Sequence, residues 1–318
     1  MICKTTIDWL GFRTQAEVLE GLEAIKPLYG SRAPQINLKP LERGKDGFQQ
    51  ACSLRIGEWV VGRVDFGGES QRGWVRWNIP GEGCENVADW DALSEVEALK
   101  SAEIRRLDIA LTTWRGEVDH TMVVNAHTAS GFACAGGGRP PALQQITSSD
   151  PMAGQTCYVG KRESDKFFRG YEKGLELLAK LGRRGPRCAD GGTDGEVWLI
   201  DGCPAEDIYR CEVELKAKTR VIPFEVIERR DHYFGGCYPF LAELLPGVEA
   251  DILMRRPERA PQASLAAQLE NCRIQYGAAL YTALHAYGGD IGAVFEKIVG
   301  SQHSAALLAA GVLEVEHA

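Results

Sequence analysis

Two segments of this chain alternate apolar and polar residues with a period of two, which restricts each of them to a β-strand with one buried face. They are RRLDIALT (105–112) and YRCEVELKAK (209–218). Successive side chains of a strand point to opposite faces, so each segment collects its charged residues on one side. A sheet that contains both strands therefore has an apolar face for packing and a second face that carries charge.

The polar faces of these strands carry more ionisable groups than ordinary packing needs. In the first segment Asp108 lies opposite Leu107 and Ile109, within an otherwise apolar stretch. The polar face of the second segment carries four charged side chains: Arg210, Glu212, Glu214 and Lys216. Buried charge is costly unless it is paired or used. The bland alternative is a solvated ladder of cross-strand ion pairs.

A third segment, TCYVGKRESDKFFRGYEKG (156–174), is typical of a β-hairpin. We predict strands over 156–160 and 166–171, joined by a polar turn, and a short helix over 172–181. Alternation puts Arg169 and Tyr171 on one face, with Lys173 just beyond. The window 161–187 holds nine Lys/Arg against four Asp/Glu, although the whole chain has a net charge of −8. The positive charge is thus concentrated around one tyrosine.

The remaining segments indicate an α+β fold, with a central, mainly antiparallel sheet flanked by helices. Strand-like runs and helical patterns alternate before residue 255, and a helical, Ala/Leu-rich region follows the linker RRPERAP. The first half has a strand (IDWLGF), a helix and a hairpin, and the second half has a strand, a connector and a hairpin in the same order. This similarity suggests duplicated lobes. We predict these boundaries: a catalytic domain over 1–254 with sub-lobes of about 1–103 and 104–254, a helical region over 255–318, helices over 14–28 and 90–102, and strands over 51–56, 59–66 and 73–79.

Composition narrows the class of protein further. The N-terminus lacks a secretory signal and no apolar run reaches the length of a membrane span, so we expect a cytoplasmic protein without a membrane partner. The ten cysteines are scattered without a CxxC pair, which disfavours zinc. The Gly/Pro loop GFACAGGGRPP (131–141) matches no phosphate-binding fingerprint, which disfavours an ATP-driven motor. The apolar stripe along 265–287 is typical of helix packing.

The charged face suits phosphoryl chemistry. Carboxylates without histidines favour a hard divalent cation, Mg²⁺ or Mn²⁺, with Asp108, Glu212 and Glu214 as candidate ligands. Tyrosine can attack phosphorus and store the energy of the broken bond as a phosphotyrosine. Arginine and lysine stabilise charge on the phosphoryl oxygens. The residues predict metal-dependent DNA nicking by Tyr171, while a strand aromatic with a structural role is the alternative.

The three segments, in this order, resemble the replication initiation factor family of rolling-circle plasmids and filamentous phages. Its pattern is an R-[LI]-D-[LI]-A strand, then Y-x-G-x-R-x-S-D-x-x-x-R-x-Y-x-K, then R-x-E-[LIV]-E-L-K, and the likeness extends over roughly 7–245. The resemblance implies a fold related to the HUH endonucleases, a nucleophile at Tyr171, and metal ligation by Asp108 with Glu212 or Glu214. No His-x-His pair is present, so a histidine-based metal site is not expected. Thr112 and Gly170 depart from the pattern, where an acidic and an apolar β-branched residue are common.

The resemblance implies an origin-nicking initiator that forms a 5′-phosphotyrosine, releases a 3′-hydroxyl primer and later transfers the strand. We expect Arg169 and Lys173 to support Tyr171. Candidate DNA-binding residues are Lys161, Arg162, Lys166, Lys216, Arg183 and Arg184. Expected partners are double- and single-stranded origin DNA, a host helicase and a host polymerase in a bacterial cell, with a homodimer left open. The alternative is a non-catalytic origin- or operator-binding protein on the same fold.

Overall fold

The computed structural model describes residues 4–133, 139–150, 153–182, 198–254, 265–304 and 307–308. The chain divides into two compact units, Met1–Arg255 and Arg256–Ala318. Arg183 and Arg184, the whole RRPERAP linker and part of the Gly/Pro loop lie outside the described residues.

The first unit is built on one ten-stranded sheet in which every neighbouring pair is antiparallel. The strands are β1 (Thr6–Thr14), β2 (Ile36–Leu41), β3 (Gln50–Ile56), β4 (Trp59–Phe66), β5 (Val75–Pro80), β6 (Glu103–Thr113), β7 (Leu143–Ile146), β8 (Thr156–Val159), β9 (Lys166–Tyr171) and β12 (Tyr209–Lys216). A separate short ladder consists of β10 (Leu199–Ile200) and β11 (Cys203–Pro204). The predicted antiparallel α+β architecture is confirmed.

The sheet consists of two lobes with the same topology. Its spatial order is β2-β3-β4-β5-β1-β6-β12-β9-β8-β7. From the centre outwards, the N-terminal lobe has the order β1, β5, β4, β3 and β2, and the C-terminal lobe has the order β6, β12, β9, β8 and β7. In both lobes the central strand comes first in the chain, its neighbour comes last, and the remaining three follow in reverse chain order. The two lobes join through the antiparallel β1–β6 pair.

Helices and connecting segments cover one face of the sheet. The α-helices of the first unit are α1 (Val18–Ile25), α2 (Gly81–Glu85), α3 (Leu93–Glu97), α4 (His120–Thr128), α5 (Lys173–Lys180), α6 (Arg230–Gly235) and α7 (Pro239–Glu243). The apolar sides of the central strands form a continuous core with these helices except α5, and this core includes Leu10, Trp77, Ile109, Phe168 and Val213. The α5 helix packs through Leu178 in a separate small cluster with Ile200, Ala205 and Ile208. Short 3₁₀ turns lie at Lys26–Gln35, Glu69–Gln71, Ala205–Asp207 and Phe224–Val226.

Two predicted helices are shorter than their apolar patterns. The α1 helix ends at Ile25, because Pro27 lacks the N–H that an α-helix needs and the chain continues as a 3₁₀ turn. The helix predicted over 90–102 is reduced to α3, since Ser101 takes a positive φ of 56° where the chain turns into β6. Both boundaries are therefore set by local backbone constraints.

The second unit contains α8 (Leu265–Ala286) and α9 (Ile291–Ile298). The predicted packing stripe is not buried: Leu269, Tyr276 and Tyr287 are exposed, because the apolar residues of α8 are spread around the helix. Among the described residues, no helix is long and apolar enough to span a membrane.

Candidate active site

The three segments singled out in the sequence become neighbours in the sheet, as β6, β12 and β9. Their polar residues share the face opposite the main core. The register forms three cross-strand pairs on this face: Asp108–Glu214, Arg169–Glu212 and Tyr171–Arg210. Side chains that are directly opposite in antiparallel strands lie within reach of each other. The predicted convergence of carboxylates, cations and tyrosine is confirmed.

A cavity of about 230 Å³ opens on this face. Its walls combine four carboxylates with three guanidinium groups, from Asp8, Asp108, Glu212, Glu214, Arg106, Arg162 and Arg169. Trp9 and Phe167 contribute apolar surface. The cavity therefore offers both anionic and cationic groups to a small charged ligand.

Asp8 reaches the cavity through a β-bulge that strand alternation does not predict. The register between β1 and β6 shifts between Ile7 and Trp9, so that two residues of β1 oppose a single step of β6. A bulge of this kind re-aims the side chain of the extra residue. As a result, both Asp8 and Trp9 line the cavity while Ile7 packs in the core.

Arg106 holds the carboxylates of Asp108 and Glu214 together. Its guanidinium donates to both oxygens of Asp108, at 2.9 and 2.6 Å, and approaches Glu214 Oε2 at 3.3 Å. The same guanidinium lies over the ring of Trp9, 4.2 Å from its centroid. The pKa of Asp108 is raised to about 7, mainly by burial; Arg106 acts to lower this pKa, and the charges of Glu212 and Glu214 contribute to raising it.

Glu212 and Arg169 form a second pair beside the cavity. Arg169 Nη2 donates to Glu212 Oε2 at 2.6 Å, and burial raises the pKa of Glu212 despite this cation. The Nε of Arg169 is buried and has no acceptor within the described part of the chain. The unsatisfied polar atom at this site is thus a donor, which suits an anionic oxygen.

Tyr171 closes this row of side chains. It is 8% exposed, and the guanidinium carbon of Arg169 lies 4.8 Å from its ring centroid. Burial raises the pKa of the Tyr171 phenol well above its usual value, while the charges of Arg210 and Arg169 act in the opposite direction. The phenol hydroxyl makes no hydrogen bond to any residue that the structure describes.

Arg210 faces Tyr171 and is itself anchored on both sides. It donates from Nε to Thr112 Oγ1 at 2.9 Å and from Nη1 to Asp8 Oδ1 at 2.8 Å. The chain has threonine at position 112 where an acidic residue is common in the family pattern. A carboxylate is nonetheless present beside Arg210, contributed by Asp8 from β1.

Lys173 lies at the start of α5, directly after the tyrosine strand. It is buried, its Nζ is 5.7 Å from the Tyr171 ring centroid, and it contacts Glu176 Oε2 at 3.0 Å. Burial lowers the pKa of Lys173, and the charge of Arg210 lowers it further. The structure therefore brings Lys173 close to Tyr171 while a helical carboxylate binds its amine.

The predicted DNA-binding residues do not form one cluster. Arg162 lines the cavity, and Lys216 contacts two of the lining residues, at Glu214 Oε1 and the carbonyl of Arg162. Lys161 and Lys166 instead line a second cavity of about 500 Å³, where Lys166 donates to the carbonyl of Cys237. Lys166 projects to the sheet face opposite Tyr171, as alternation predicts.

The carboxylates of the cavity supply oxygen atoms, which are the ligands that a hard divalent cation prefers. No group of three or more His, Cys, Asp or Glu arranged to hold a metal ion occurs within the described residues. The oxygen donors do fit the chemistry of Mg²⁺, which is often bound by one or two carboxylates together with substrate phosphates. Asp108 and Glu214, directly opposite each other, are the pair that matches this pattern.

Sequence patterns missed Asp8, Trp9 and Arg106 as parts of the site. Arg106 lies two residues before Asp108 on the same strand face, so alternation alone could have identified it. Asp8 and Trp9 depend on the bulge, for which the segment IDWLGF gives no signal.

Comparisons with known proteins find a matching family and a solved structure of similar fold. The family model described as replication initiation factor matches residues 102–251, which contain β6, β9 and β12. The solved structure of a rolling circle replication initiator protein from Geobacillus stearothermophilus has a similar fold, with a TM-score of 0.50 and 20% identity over 80% of this chain and 88% of that chain. No curated protein sequence matches the chain. The chain therefore carries the replication initiation factor match over residues 102–251 on a fold similar to that of a rolling-circle replication initiator, which confirms the resemblance found in the sequence.

Proposed function

We propose that this protein initiates rolling-circle replication by nicking one strand of an origin, with Tyr171 as the nucleophile. The observation that carries the proposal is the position of Tyr171: it faces Arg210 and adjoins Arg169, on the sheet face that bears the carboxylate-lined cavity. A phosphodiester beside Tyr171 would meet two guanidinium groups, which bind phosphate oxygens well.

The reaction is a transesterification. The Tyr171 oxygen forms a bond to phosphorus, and the bond from phosphorus to the 3′ oxygen of the preceding nucleotide breaks. The phenol loses one proton and the leaving 3′ oxygen gains one, so no external reactant is consumed. The products are a 5′-phosphotyrosine and a free 3′-hydroxyl, and reversal of the same step on a new end gives strand transfer.

The electrostatics indicate how the phenol is activated. Because burial raises its pKa, Tyr171 is neutral at physiological pH and must lose its proton as it attacks. Glu212 is a suitable acceptor, since its charge acts on Tyr171 and burial raises its own pKa towards that of a better base. Arg210 and Arg169 stabilise the phenolate as it forms.

The metal assignment follows from the remaining carboxylates. Asp108 and Glu214 would hold Mg²⁺ or Mn²⁺, and Glu212, which is paired with Arg169, would act on the proton. When bound, the cation would offset negative charge on the scissile phosphate. Arg106, which contacts both carboxylates, keeps them in position before the cation and DNA arrive.

Arg162 and Lys216 at the cavity would contribute phosphate contacts, and Lys161, Lys166, Arg183 and Arg184 remain candidates for the surrounding DNA. After nicking, a host helicase would unwind the duplex and a host polymerase would extend the 3′-hydroxyl. These partners follow from the proposed chemistry, in which the protein supplies a primer and leaves unwinding to another enzyme.

A nicking assay tests the proposal. The protein is incubated with Mn²⁺ and a supercoiled plasmid that carries the genomic region around its gene, and nicked circles with a covalent protein adduct are measured. Tyr171→Phe should abolish both products. The matched control is Tyr158→Phe, which alters a tyrosine on the same face, opposite Arg169, and should retain them.

The outcomes separate the candidate functions. Nicking by Tyr171→Phe at the wild-type rate would rule out this nucleophile. Sequence-specific binding of the plasmid by the wild-type protein, without nicked circles or adduct, would instead favour the non-catalytic origin-binding function.

A further inference from the structure

The shared topology of the two lobes allows their strands to be matched. By position within each lobe, β4 corresponds to β9 and β5 to β12. In the N-terminal lobe Arg63 pairs with Asn78 and Asp65 with Arg76. In the C-terminal lobe the corresponding pairs are Arg169–Glu212 and Tyr171–Arg210. The spacing along both strands is the same, with Arg-x-Asp matching Arg-x-Tyr and Arg-x-Asn matching Arg-x-Glu.

The comparison shows which groups are kept and which are replaced. Both arginines are present in the N-terminal lobe, as Arg63 and Arg76. The tyrosine is replaced by Asp65 and the Glu212 carboxylate by the neutral amide of Asn78. A proline, Pro80, occupies the place that corresponds to Glu214 and pairs with Trp9. The N-terminal lobe therefore retains the two arginines. It lacks counterparts of the nucleophile Tyr171, of the proton acceptor Glu212 and of the Asp108–Glu214 pair, whose place is taken by Trp9 and Pro80.

These residues line a cavity of about 370 Å³ on the same open face of the sheet. Its charged lining consists of three cations and two carboxylates: Lys45, Arg63, Arg76, Asp46 and Asp65. The formal balance is therefore positive by one charge. Lys45 is exposed, so its amine is accessible to a ligand.

Asp65 holds the arginines in place. It is fully buried and accepts from Arg63 Nε at 2.8 Å and Arg76 Nη2 at 2.9 Å, while the backbone N–H of Lys45 donates to it at 3.1 Å. Arg76 also lies over the ring of Phe48, 4.9 Å from its centroid. The cationic wall is thus pre-organised, which lowers the entropy cost of binding an anion.

We propose that this cavity is a second DNA subsite, which binds a backbone phosphate of the single strand leading away from Tyr171 and cannot cleave it. Trp9 lines both cavities, so the two are adjacent along the face. Three strand steps separate Arg76 from Arg210, roughly 14 Å at about 4.8 Å per step. A strand a few nucleotides long can span that distance, and the ring of Trp9 offers a surface on which a base can stack.

The identity of the strand as nicked origin DNA rests on the proposed function, but binding at the subsite does not. The test therefore measures binding alone, in a Tyr171→Phe background, with a fluorescein-labelled 20-nucleotide oligothymidylate as the probe. Fluorescence anisotropy gives Kd at several salt concentrations. The variants are Lys45→Glu and, as the matched control, Lys100→Glu, which reverses an exposed lysine that lines neither cavity.

Lys45→Glu should raise Kd about 10-fold and reduce the slope of log Kd against log salt by about 0.7, the value for one lost phosphate contact in single-stranded DNA. Lys100→Glu should change Kd less than about 2-fold, because screening weakens distant charges. Equal effects of the two variants, or no effect of Lys45→Glu, would overturn the subsite.

A second variant, Arg63→Gln, removes a half-buried arginine of this cavity without leaving Asp65 unpaired. Arg63→Gln leaves Asp65 bound to Nη2 of Arg76 and to the backbone N–H of Lys45, and thermal unfolding reports whether the variant folds. If it folds, its Kd should rise as in Lys45→Glu; an unchanged Kd would overturn the subsite. If the wild-type protein does not nick DNA, the proposed function is contradicted, and these binding results are unaffected.

Discussion

Asp65 faces Arg76 across the β4–β5 pair as Tyr171 faces Arg210 across the β9–β12 pair. The aspartate lies 2.9 Å from its arginine and is fully buried. Arg210, which faces the tyrosine, instead donates to Asp8 and Thr112, and the Tyr171 hydroxyl has no partner among the described residues. The same scaffold position thus serves stability in one lobe and, by our proposal, chemistry in the other.

The structural role of Asp65 predicts a large stability loss on its removal. Asp65→Ala leaves Arg63 and Arg76 without their buried counter-charge, so the free energy of unfolding should fall by about 3–5 kcal/mol. Urea denaturation measures this loss. Asp46→Ala, which removes an exposed partner of Arg76, should cost about 1 kcal/mol or less. Similar losses in both variants would contradict the role given to Asp65.

Gly170 is explained by the space that Tyr209 occupies. A Cβ added at Gly170 would lie 2.7 Å from the Tyr209 hydroxyl oxygen and 3.2 Å from Cys157 Sγ. We predict that Gly170→Ala lowers the free energy of unfolding by about 1–3 kcal/mol through overpacking. In a Tyr209→Phe background, which lacks the hydroxyl, the cost of Gly170→Ala should be smaller. A double-mutant cycle with zero coupling would contradict this explanation.

Much of the site could be predicted from the sequence because strand alternation is a local property. Asp108, Glu212 and Tyr171 each lie on the face that their own strand pattern indicates. Asp8 could not be predicted, because its orientation depends on a register shift between β1 and β6. The equivalence of Asp65 and Tyr171 likewise requires the strand order, since the segments GRVDF and FRGYE share only an arginine two residues before the key side chain.

Arg210 should lower the pH at which the nucleophile works. Its charge acts against the burial that raises the pKa of Tyr171, so Arg210→Gln should raise that pKa further. We expect the single-turnover nicking rate near neutral pH to fall about 100-fold, and its rise with pH to move to higher values. Arg210→Lys keeps the charge and should retain the wild-type profile position. An unshifted profile in Arg210→Gln would contradict this electrostatic role.

Asp108 should make stability depend on pH in a definite direction. Burial raises its pKa in the folded state to about 7, above an unfolded value of about 3.9. The folded state therefore holds the proton more tightly, and the contribution of Asp108 to stability falls as pH rises from about 4 to about 7, then stays constant. Three charged groups face Asp108 and contribute to this pKa: Arg106 lowers it, and Glu212 and Glu214 raise it.

Asp108→Asn cannot titrate and supplies the comparison. The stability of the wild type minus that of Asp108→Asn, from urea denaturation between about pH 4.5 and pH 8.5, should decrease up to about pH 7 and then level off. A difference that stays flat over this window would show that Arg106 holds the pKa of Asp108 at or below its unfolded value instead.

The proposed roles of Asp108, Glu212 and Glu214 predict which of these carboxylates is required for cation binding. If Asp108 and Glu214 hold Mn²⁺ with a DNA phosphate, Mn²⁺ should raise the Tm of the Tyr171→Phe protein bound to oligothymidylate. By mass action the stabilisation is about 2.7 kcal/mol at 100 times Kd. Asp108→Asn and Glu214→Gln should lose this Mn²⁺-dependent shift, whereas Glu212→Gln should retain it and, with Tyr171 restored, nick slowly.

NaCl at matched ionic strength controls for screening, which affects all variants alike. A shift lost in Glu212→Gln and kept in Glu214→Gln would exchange the two assignments, since Glu212 would then be the ligand. The absence of any Mn²⁺-dependent shift in the Tyr171→Phe protein would exclude a cation at this carboxylate pair, and the charge on the phosphate would have to be met by the arginine and lysine side chains of the site alone.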